Sequence, residues 1–405
     1  MNAYLIDWLS LLGRWVHLIT GIAWIGSSFY FIWLDNHLRV PVDEDLRRKG
    51  VGGELWAVHG GGFYNAQKYL VAPSALPAQL HWFYWEAYST FVSGFFLLAL
   101  LYYGKAELYL IDPQVAALSK PQAVAIGLAF LVGGWLIYDG LCRTALARKG
   151  LALGGVLAVL LTLAAWALCH LFSGRGAYIE FGALLGTIMV ANVFFVIIPG
   201  QREMVRAKRE GREPDPQFGI KGKLRSTHNT YFTLPVLFTM ISNHYAMTYG
   251  ARYNWLVLIG VSAAGVFIRI YFVTRHKAHE RGGRTSPLPA VLGVLVLIGV
   301  AVALAPSRSS GTAEVLTFTD MQRFARVRTI VGQRCASCHS SAPTQPGFTA
   351  APKGVAFDQP EHIVQYAAQI QQQVAARVMP LGNLTGMTDE ERAEVLAWIQ
   401  HGAPH

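Results

Sequence analysis

Two cysteines and a histidine near the C-terminus have a spacing that suits one kind of chemistry. Cys335 and Cys338 are separated by two residues, and His339 follows directly. In this spacing the thiols can form thioether bonds to the vinyl groups of a haem, and the imidazole can bind the haem iron. A zinc centre would need more ligands than this segment offers. The sequence therefore predicts a covalently attached haem c and a role in electron transfer.

A second axial ligand of the haem iron is expected further along the chain. Met379 begins a loop of sequence Met-Pro-Leu-Gly-Asn. A methionine ligand raises the reduction potential of a haem relative to ligation by two histidines. Met387 is the alternative ligand in the same segment. We predict Met379 as the second axial ligand.

The residues around the haem motif favour a small helical domain. A helix is predicted over 319–331, before the motif, and Thr388 and Glu391 have the spacing of a helix capping box after it. Apolar residues then recur at helical spacing at Val395, Leu396, Trp398 and Ile399. This order of elements, within residues 314–405, resembles a class I cytochrome c.

The rest of the chain has the composition of a membrane protein. Of its 405 residues 53% are hydrophobic and only 14% are charged, whereas soluble proteins carry about a quarter charged residues. We predict an all-α, polytopic membrane helix bundle over residues 1–306, joined by a polar linker (307–313) to the cytochrome c domain (314–405). About eight apolar runs approach the length needed to cross a bilayer. The predicted spans are 11–34, 81–103, 122–142, 151–173, 177–198, 228–249, 253–273 and 288–306.

The net charge of +10 lies in short basic blocks between the apolar runs. The loops after the first, third, fifth and seventh spans are rich in Lys and Arg, and the alternate loops are poor in them. By the positive-inside rule the rich loops are cytoplasmic, so both termini lie outside. This predicts a multi-pass protein of the bacterial inner membrane with its cytochrome c domain on the periplasmic side. The same pattern argues against nucleic-acid binding.

Two histidines within the predicted spans are candidates for a second haem. An ionisable residue inside a span is a functional candidate because burying it unpaired is unfavourable. His17 and His244 would both lie in the outer leaflet, which suits two ligands of a haem b that relays electrons to haem c; His170 is a substitute ligand. The surrounding Trp-x-His-x6-Trp-x-Gly pattern also resembles the first span of HemJ-type haem-binding membrane proteins.

A second group of polar and aromatic residues is predicted at the cytoplasmic side. It combines the glycine-rich loop 54–69 with the cytoplasmic ends of three spans, and it would suit a flat, anionic, hydrogen-bonding heterocycle. The predicted catalytic residues are His59, Glu86, His228 and Asn229, and the predicted substrate-binding residues are Tyr64, Lys68, Trp82, Asn192 and Arg202. Helix caps and an interfacial aromatic belt are the alternative interpretation of these residues.

The chain as a whole resembles the bacterial membrane-bound cytochrome c urate oxidases, also called urate hydroxylases. The resemblance covers the Trp15–Trp24 span, the segment Trp56–Tyr64 and the haem motif at Cys335. It implies that urate is the substrate and 5-hydroxyisourate the product. It also implies that electrons pass through haem to the respiratory chain, by way of a terminal oxidase or a soluble cytochrome c, without dioxygen as the direct acceptor.

Some alternatives stay open at the level of sequence. A quinol or porphyrinogen dehydrogenase could feed the same cytochrome, and a membrane electron conduit is a non-enzymatic alternative. The cytoplasmic pocket and the outer-leaflet haem b would be more than about 15 Å apart by helix rise. Either a second haem b, with His81 and His228 as ligands, lies between them, or the substrate binds deeper in the bundle.

Overall fold

The computed structural model describes residues 3–280, 285–305, 320–346, 348 and 350–404. The predicted linker (307–313) lies outside the described residues. In chain order the helices are α1 (Ala3–His37), α2 (Glu44–Arg48), α3 (Trp85–Leu97), α4 (Ala106–Tyr109), α5 (Lys120–Arg143), α6 (Gly150–Leu171), α7 (Gly174–Asn192), α8 (Ile198–Arg209), α9 (Pro216–Ser242), α10 (Ala246–Tyr249), α11 (Asn254–Glu280), α12 (Leu288–Ala303), α13 (Asp320–Arg334), α14 (Pro360–Gln365), α15 (Ala367–Ala375) and α16 (Asp389–Gln400). π-Helical turns at Leu98–Tyr103 and Val193–Ile197 continue α3 and α7, and short 3-10 turns occur at Ala145–Arg148, Pro352–Gly354 and Leu381–Asn383.

Six helices in the described part of the chain are long and apolar enough to cross a membrane. They are Tyr4–His37, Trp85–Tyr103, Lys120–Arg143, Gly150–Leu171, Gly174–Arg209 and Asn254–Arg275. Six of the predicted spans correspond to these helices, which indicate a multi-pass membrane protein. The other two predicted spans correspond to α9 and α12, which are not among these six helices. Helix α9 is long enough but polar in its first half, and α12 is apolar but shorter than a typical span.

The prediction of an all-α fold is wrong for the glycine-rich loop. Strands β1 (Val51–His59) and β2 (Gly62–Tyr69) pair in antiparallel register, with His59 opposite Gly62. The turn between them places Gly60 and Gly61 at φ angles of +59° and +81°. Two consecutive residues with positive φ form the kind of hairpin turn for which glycine is strongly preferred. The glycine run is therefore explained by this turn.

The helices pack around α7, most of whose residues are buried. Helices α5, α6 and α9 all contact α7, and small residues let them approach closely. At Gly182 of α7, for example, a Cβ atom would lie 2.0 Å from Oγ1 of Thr239 on α9. A larger side chain at that position would therefore separate the two helices.

The C-terminal segment (residues 320–404) has a core of its own. Its most buried residues include Val327, Val331, Met387, Val395 and Trp398. The predicted helix start at Thr388 is confirmed: Thr388 and Glu391 form a reciprocal capping box at the beginning of α16. The predicted apolar face of this helix is also confirmed, since Val395 and Trp398 are 1% exposed.

The C-terminal segment contacts one end of the bundle, which we term the near end. There Gly382 lies against backbone carbonyl groups of α4, and the Gln114 side chain donates to the Met387 carbonyl oxygen at 3.4 Å. The opposite end, termed the far end, carries the hairpin, α2, α8 and the first turns of α9. The hairpin is attached to α1 there by a backbone bridge between Arg39 and Glu54.

Candidate functional site

The haem motif lies where α13 ends. The chain continues in a helical turn, with the His339 N–H donating to the Cys335 carbonyl oxygen at 2.9 Å. Nδ1 of His339 lies 2.9 Å from the Val355 carbonyl oxygen. When Nδ1 donates this hydrogen bond, Nε2 is free to bind a metal, which is the usual arrangement of a metal-binding histidine.

The two thiols at the motif are unpaired. Burial raises the pKa of Cys335 to about 12 and also raises the pKa of Cys338. Within the described residues, no three His, Cys, Asp or Glu side chains converge on a point as metal ligands would. The described residues therefore supply no tetrahedral set of zinc ligands at the motif. Two free thiols beside an oriented imidazole instead fit the requirements of a covalently bound haem.

The loop with the two candidate axial methionines is fixed by Arg392 of α16. This guanidinium donates to the Met379 carbonyl oxygen at 2.7 Å and to Oδ1 of Asn383 at 3.2 Å. The Asn383 side chain also accepts a hydrogen bond from the Met387 N–H. Met387 is 1% exposed and packs in the apolar core, whereas Met379 is only half-buried.

Toward the far end of the bundle, buried polar side chains of three helices form one hydrogen-bonded network. The Asn192 side chain of α7 donates to Oδ1 of Asn229 at 2.8 Å and to the Tyr138 hydroxyl at 3.1 Å. The Tyr138 hydroxyl on α5 lies 2.8 Å from Nδ1 of His228 on α9. The structure therefore brings together three predicted site residues, namely Asn192, His228 and Asn229.

An ion pair extends this network. Arg225 of α9 donates to Oδ1 of Asp139 at 2.6 Å and to Oδ1 of Asn192 at 3.2 Å. Its guanidinium also lies over the Tyr138 ring, 5.0 Å from the ring centre. The other carboxylate oxygen of Asp139 accepts from Arg143 at 2.6 Å. The charge of Arg225 is thus compensated within the protein.

Sequence reasoning did not identify Tyr138, Asp139 or Arg225 as site residues. Asp139 could have been identified from the sequence, because a carboxylate inside an apolar run is a functional candidate. Glu180 of α7 is a second case. It is fully buried, and its carboxyl group lies beside the Tyr103 hydroxyl.

A second group of predicted residues lies around the beginning of α3. Trp82 is half-buried and packs against a cluster formed by Ala87, Val193 and Ile198. One carboxyl oxygen of Glu86 is buried, with no hydrogen-bond partner in the described part of the chain. Arg202 is exposed on α8, and its charge acts on the neighbouring Tyr88 hydroxyl.

The π-helical turn Val193–Ile197 connects this group to the buried network. Asn192 directly precedes the turn, and Val193 packs against Ala87. Tyr88 contacts the ring of Phe194 in the same turn, at 5.5 Å between ring centres. Such π-helical turns occur frequently at functional sites.

The three predicted residues of the hairpin are more exposed. His59 lies at its tip and is exposed, and Tyr64 is 57% exposed. Lys68 forms an ion pair with Asp35 of α1 at 2.6 Å. The Lys68 charge therefore helps to attach the hairpin to the bundle.

The candidate haem b ligands have different surroundings. His17 of α1 faces α3, where its Nδ1 lies 3.0 Å from the Thr90 carbonyl oxygen and 3.1 Å from the Ser93 hydroxyl. Gly94 makes room for this ring, because a Cβ there would lie 2.8 Å from Cε1 of His17. His244 was predicted inside a span, but α9 ends at Ser242 and His244 is exposed in the following turn.

The substitute ligand His170 lies near the end of α6, and His81, predicted as a ligand of a second haem b, lies before α3. His170 lines a cavity of about 1070 Å³ between the near end of the bundle and the C-terminal segment. Arg175 and Arg252 line the same cavity. His81 is exposed before α3 and stacks edge-on against Phe83, at 4.6 Å between ring centres.

Comparison with known proteins assigns the helix bundle to a protein family. A family model described as urate oxidase N-terminal matches residues 3–305. No match was found among curated proteins or among solved structures. The matched residues include all helices from α1 to α12 and end before the haem motif. The chain therefore belongs to the urate oxidase N-terminal family.

Proposed function

We propose that the protein is a urate hydroxylase that oxidises urate to 5-hydroxyisourate and transfers the electrons to a haem c in its C-terminal segment. In this reaction water adds to C5 of urate, and two electrons and two protons leave. The observation that carries the proposal is the family match over the whole helix bundle. The haem motif in the same chain provides a route for the electrons other than direct transfer to dioxygen.

The substrate site is proposed at the far end of the bundle, around the π-helical turn Val193–Ile197. The Asn192 amide holds Tyr138 and Asn229 in place there, and aromatic rings such as Trp82 can stack on the face of a purine. With Nδ1 of His228 donating to the Tyr138 oxygen, Nε2 is free to accept a proton from the substrate. Glu86, with a buried carboxyl oxygen that has no partner among the described residues, is the second proposed proton acceptor.

Haem c would be held in the C-terminal segment by Cys335, Cys338, His339 and Met379. When bound, this group would accept electrons one at a time. The Val355 carbonyl orients His339, and Arg392 fixes the backbone of Met379. Both contacts lie outside the bundle. They therefore position the proposed haem c ligands and do not involve the proposed substrate site.

An intermediate electron carrier is needed between the two sites. The hydrocarbon core of a bilayer is about 30 Å thick, and the proposed substrate site and the C-terminal segment lie at opposite ends of the bundle. We propose His17 as a ligand of a haem b, because Nε2 stays free when Nδ1 donates to Thr90. His244 is retained as its proposed second ligand, with His170 as the substitute. A pyridine haemochrome assay of purified protein should show haem b together with haem c, and haem c alone would contradict this proposal.

The membrane orientation follows from loop charge and is also a proposal. The far end, with its many Lys and Arg residues, is cytoplasmic, and the C-terminal segment is periplasmic in a bacterial inner membrane. Urate would then be oxidised from the cytoplasmic side, and a terminal oxidase or a soluble cytochrome c would accept the electrons outside.

The proposed reaction is tested by its electron balance. Membranes containing the protein are given urate and oxidised soluble cytochrome c under argon. We expect two cytochromes to be reduced for each urate consumed, with no hydrogen peroxide formed. A variant with both Cys335→Ser and Cys338→Ser should transfer no electrons. Urate consumption that requires dioxygen and releases peroxide would overturn the proposal.

A further inference from the structure

One arginine inside the bundle has no counter-charge among the residues that the structure describes. Arg269 lies on α11, within the apolar span Asn254–Arg275. Its Nε atom is buried and has no hydrogen-bond partner, and no ion pair of its guanidinium is found among the described residues. The guanidinium carbon lies 3.8 Å from the centre of the Phe29 ring on α1. Within the described part of the chain, Arg269 is therefore held by an aromatic face and by no anionic side chain.

The contrast with Arg225 makes this arrangement informative. Arg225 is also in the bundle, and Asp139 and Asn192 satisfy its guanidinium. Charged residues within membrane spans normally pair with one another or face a functional site, because an unpaired charge there is unfavourable. Arg225 is paired with a carboxylate, whereas Arg269 has the features of a charged residue that faces a functional site.

The surroundings of Arg269 place it on the same side of the bundle as the proposed substrate site. It lies about 9 Å along the helix axis before Arg275, the last residue of the span. Tyr231 of α9 interacts with it electrostatically, and Tyr231 is one helical turn from His228. One turn further along α11, the Asn36 side chain of α1 donates to the Val273 carbonyl oxygen at 3.4 Å. Helices α1, α9 and α11 thus converge around Arg269.

A stacked guanidinium keeps its donors available. When its face lies on a ring, as on Phe29, the N–H groups point outward in the plane of the guanidinium. Such a planar fork matches two neighbouring acceptor atoms on the edge of a planar anion. Urate at neutral pH is a planar monoanion with adjacent oxygen and nitrogen acceptors, so its chemistry fits this fork.

We infer that Arg269, backed by Phe29, is the anion-recognition residue of the urate site. This inference rests on the proposed function and adds the group that compensates the substrate charge. Among the residues predicted from sequence for that task, Lys68 is paired with Asp35 and Arg202 is exposed on α8. Arg269 has neither property, because it is half-buried and has no anionic partner among the described residues.

The test compares Arg269→Gln, Arg269→Lys and the control Arg275→Gln, which removes a charge from an exposed position of the same helix. Urate-dependent reduction of the cytochrome is measured in membranes, after reduction by dithionite has shown equal cytochrome content. We expect Arg269→Gln to raise KM about 10- to 100-fold, because it removes charge-assisted hydrogen bonds to the substrate. Arg269→Lys should recover part of this loss, and Arg275→Gln should resemble the wild type.

A second variant covers the possibility that Arg269→Gln does not insert. Phe29→Leu keeps every charge but removes the ring beneath the guanidinium, and it should raise KM about two- to fivefold. An unchanged KM in Arg269→Gln, or in Phe29→Leu where the first variant does not insert, would overturn the inference. A guanidinium that serves only a lipid phosphate would give this result. If urate does not reduce the wild-type cytochrome at all, the proposed function fails instead.

Discussion

The guanidinium of Arg225 on α9 lies 2.6 Å from the carboxylate of Asp139 on α5, and both side chains are largely buried. Asn192 of α7 joins this pair to Asn229, and Tyr138 joins it to His228. The pair therefore fixes the relative positions of the three helices that carry the proposed substrate site. Removing Asp139 would leave the Arg225 charge buried without an anionic partner among the described residues.

The Asp139–Arg225 pair predicts a large stability loss in Asp139→Asn. Breaking a buried ion pair by removing one partner typically costs about 3–5 kcal/mol. Arg143→Gln is the matched control, because Arg143 contacts the same carboxylate but its side chain is 72% exposed, and its loss should cost about 1 kcal/mol or less. Thermal unfolding of the detergent-solubilised protein measures both. Equal midpoints for the two variants would contradict the structural role of the pair.

The position of His228 predicts a catalytic defect without loss of haem c. In His228→Gln, kcat for urate should fall about 10²- to 10⁴-fold, the usual contribution of a general base. In Tyr138→Phe the ring of His228 loses its hydrogen-bond partner, so we expect a smaller fall. His59→Gln provides the control, since His59 is exposed at the tip of the hairpin. If His59→Gln were the more damaging change, the proton acceptor would have to be sought at the hairpin.

Sequence patterns predicted those elements that depend on local chemistry. The six long apolar helices, the capping box at Thr388 and the buried face with Trp398 all follow from residue types at fixed spacing. The hairpin was missed because a Gly-Gly-Gly run with aromatic neighbours was interpreted as a ligand-binding loop, whereas two glycines at positive φ form a turn. The end of α9 was also misplaced, and His244 consequently lies outside the helix.

The site was predictable only in part, because most of its contacts join distant segments. Asn192, His228 and Asn229 could be grouped by membrane depth alone. The pairing of Arg225 with Asp139 depends on how α5 and α9 pack. The lack of an anionic partner for Arg269 among the described residues depends on how α11 packs. Helical spacing within a single segment does not determine those contacts.

The burial of the two methionines predicts distinct outcomes at the haem centre. Met379→Ala should abolish the far-red methionine-to-iron band and lower the reduction potential, because the second axial ligand is lost. Met387→Ala should keep the band but destabilise the C-terminal segment by about 2–5 kcal/mol, since this side chain is buried in the core. Redox titration and visible spectroscopy distinguish the two. A band that survives in Met379→Ala and disappears in Met387→Ala would reverse the assignment.

The pair formed by Arg334 and Glu391 predicts a pH-dependent stability. Hydrogen bonds from Arg334 hold the pKa of Glu391 below its ordinary value. A carboxylate with a depressed folded pKa stabilises the fold above its unfolded pKa of about 4.3, and this contribution disappears as the pH falls through the folded pKa. Glu391→Gln should therefore be less stable than the wild type at pH 7, by about 1–2 kcal/mol. This difference in stability should shrink as the pH approaches 3. Unfolding followed by Soret circular dichroism can measure it. A difference that does not depend on pH would contradict the stabilising role of the Glu391 carboxylate.

The most direct test of the central claim is the visible spectrum of the oxidised protein after urate is added to membranes that contain it. The proposed function predicts that the alpha band of reduced haem c appears without any other donor, and that its amplitude approaches the amplitude obtained with dithionite. If dithionite produces the band and urate does not, urate is not the electron donor and the proposed function is wrong.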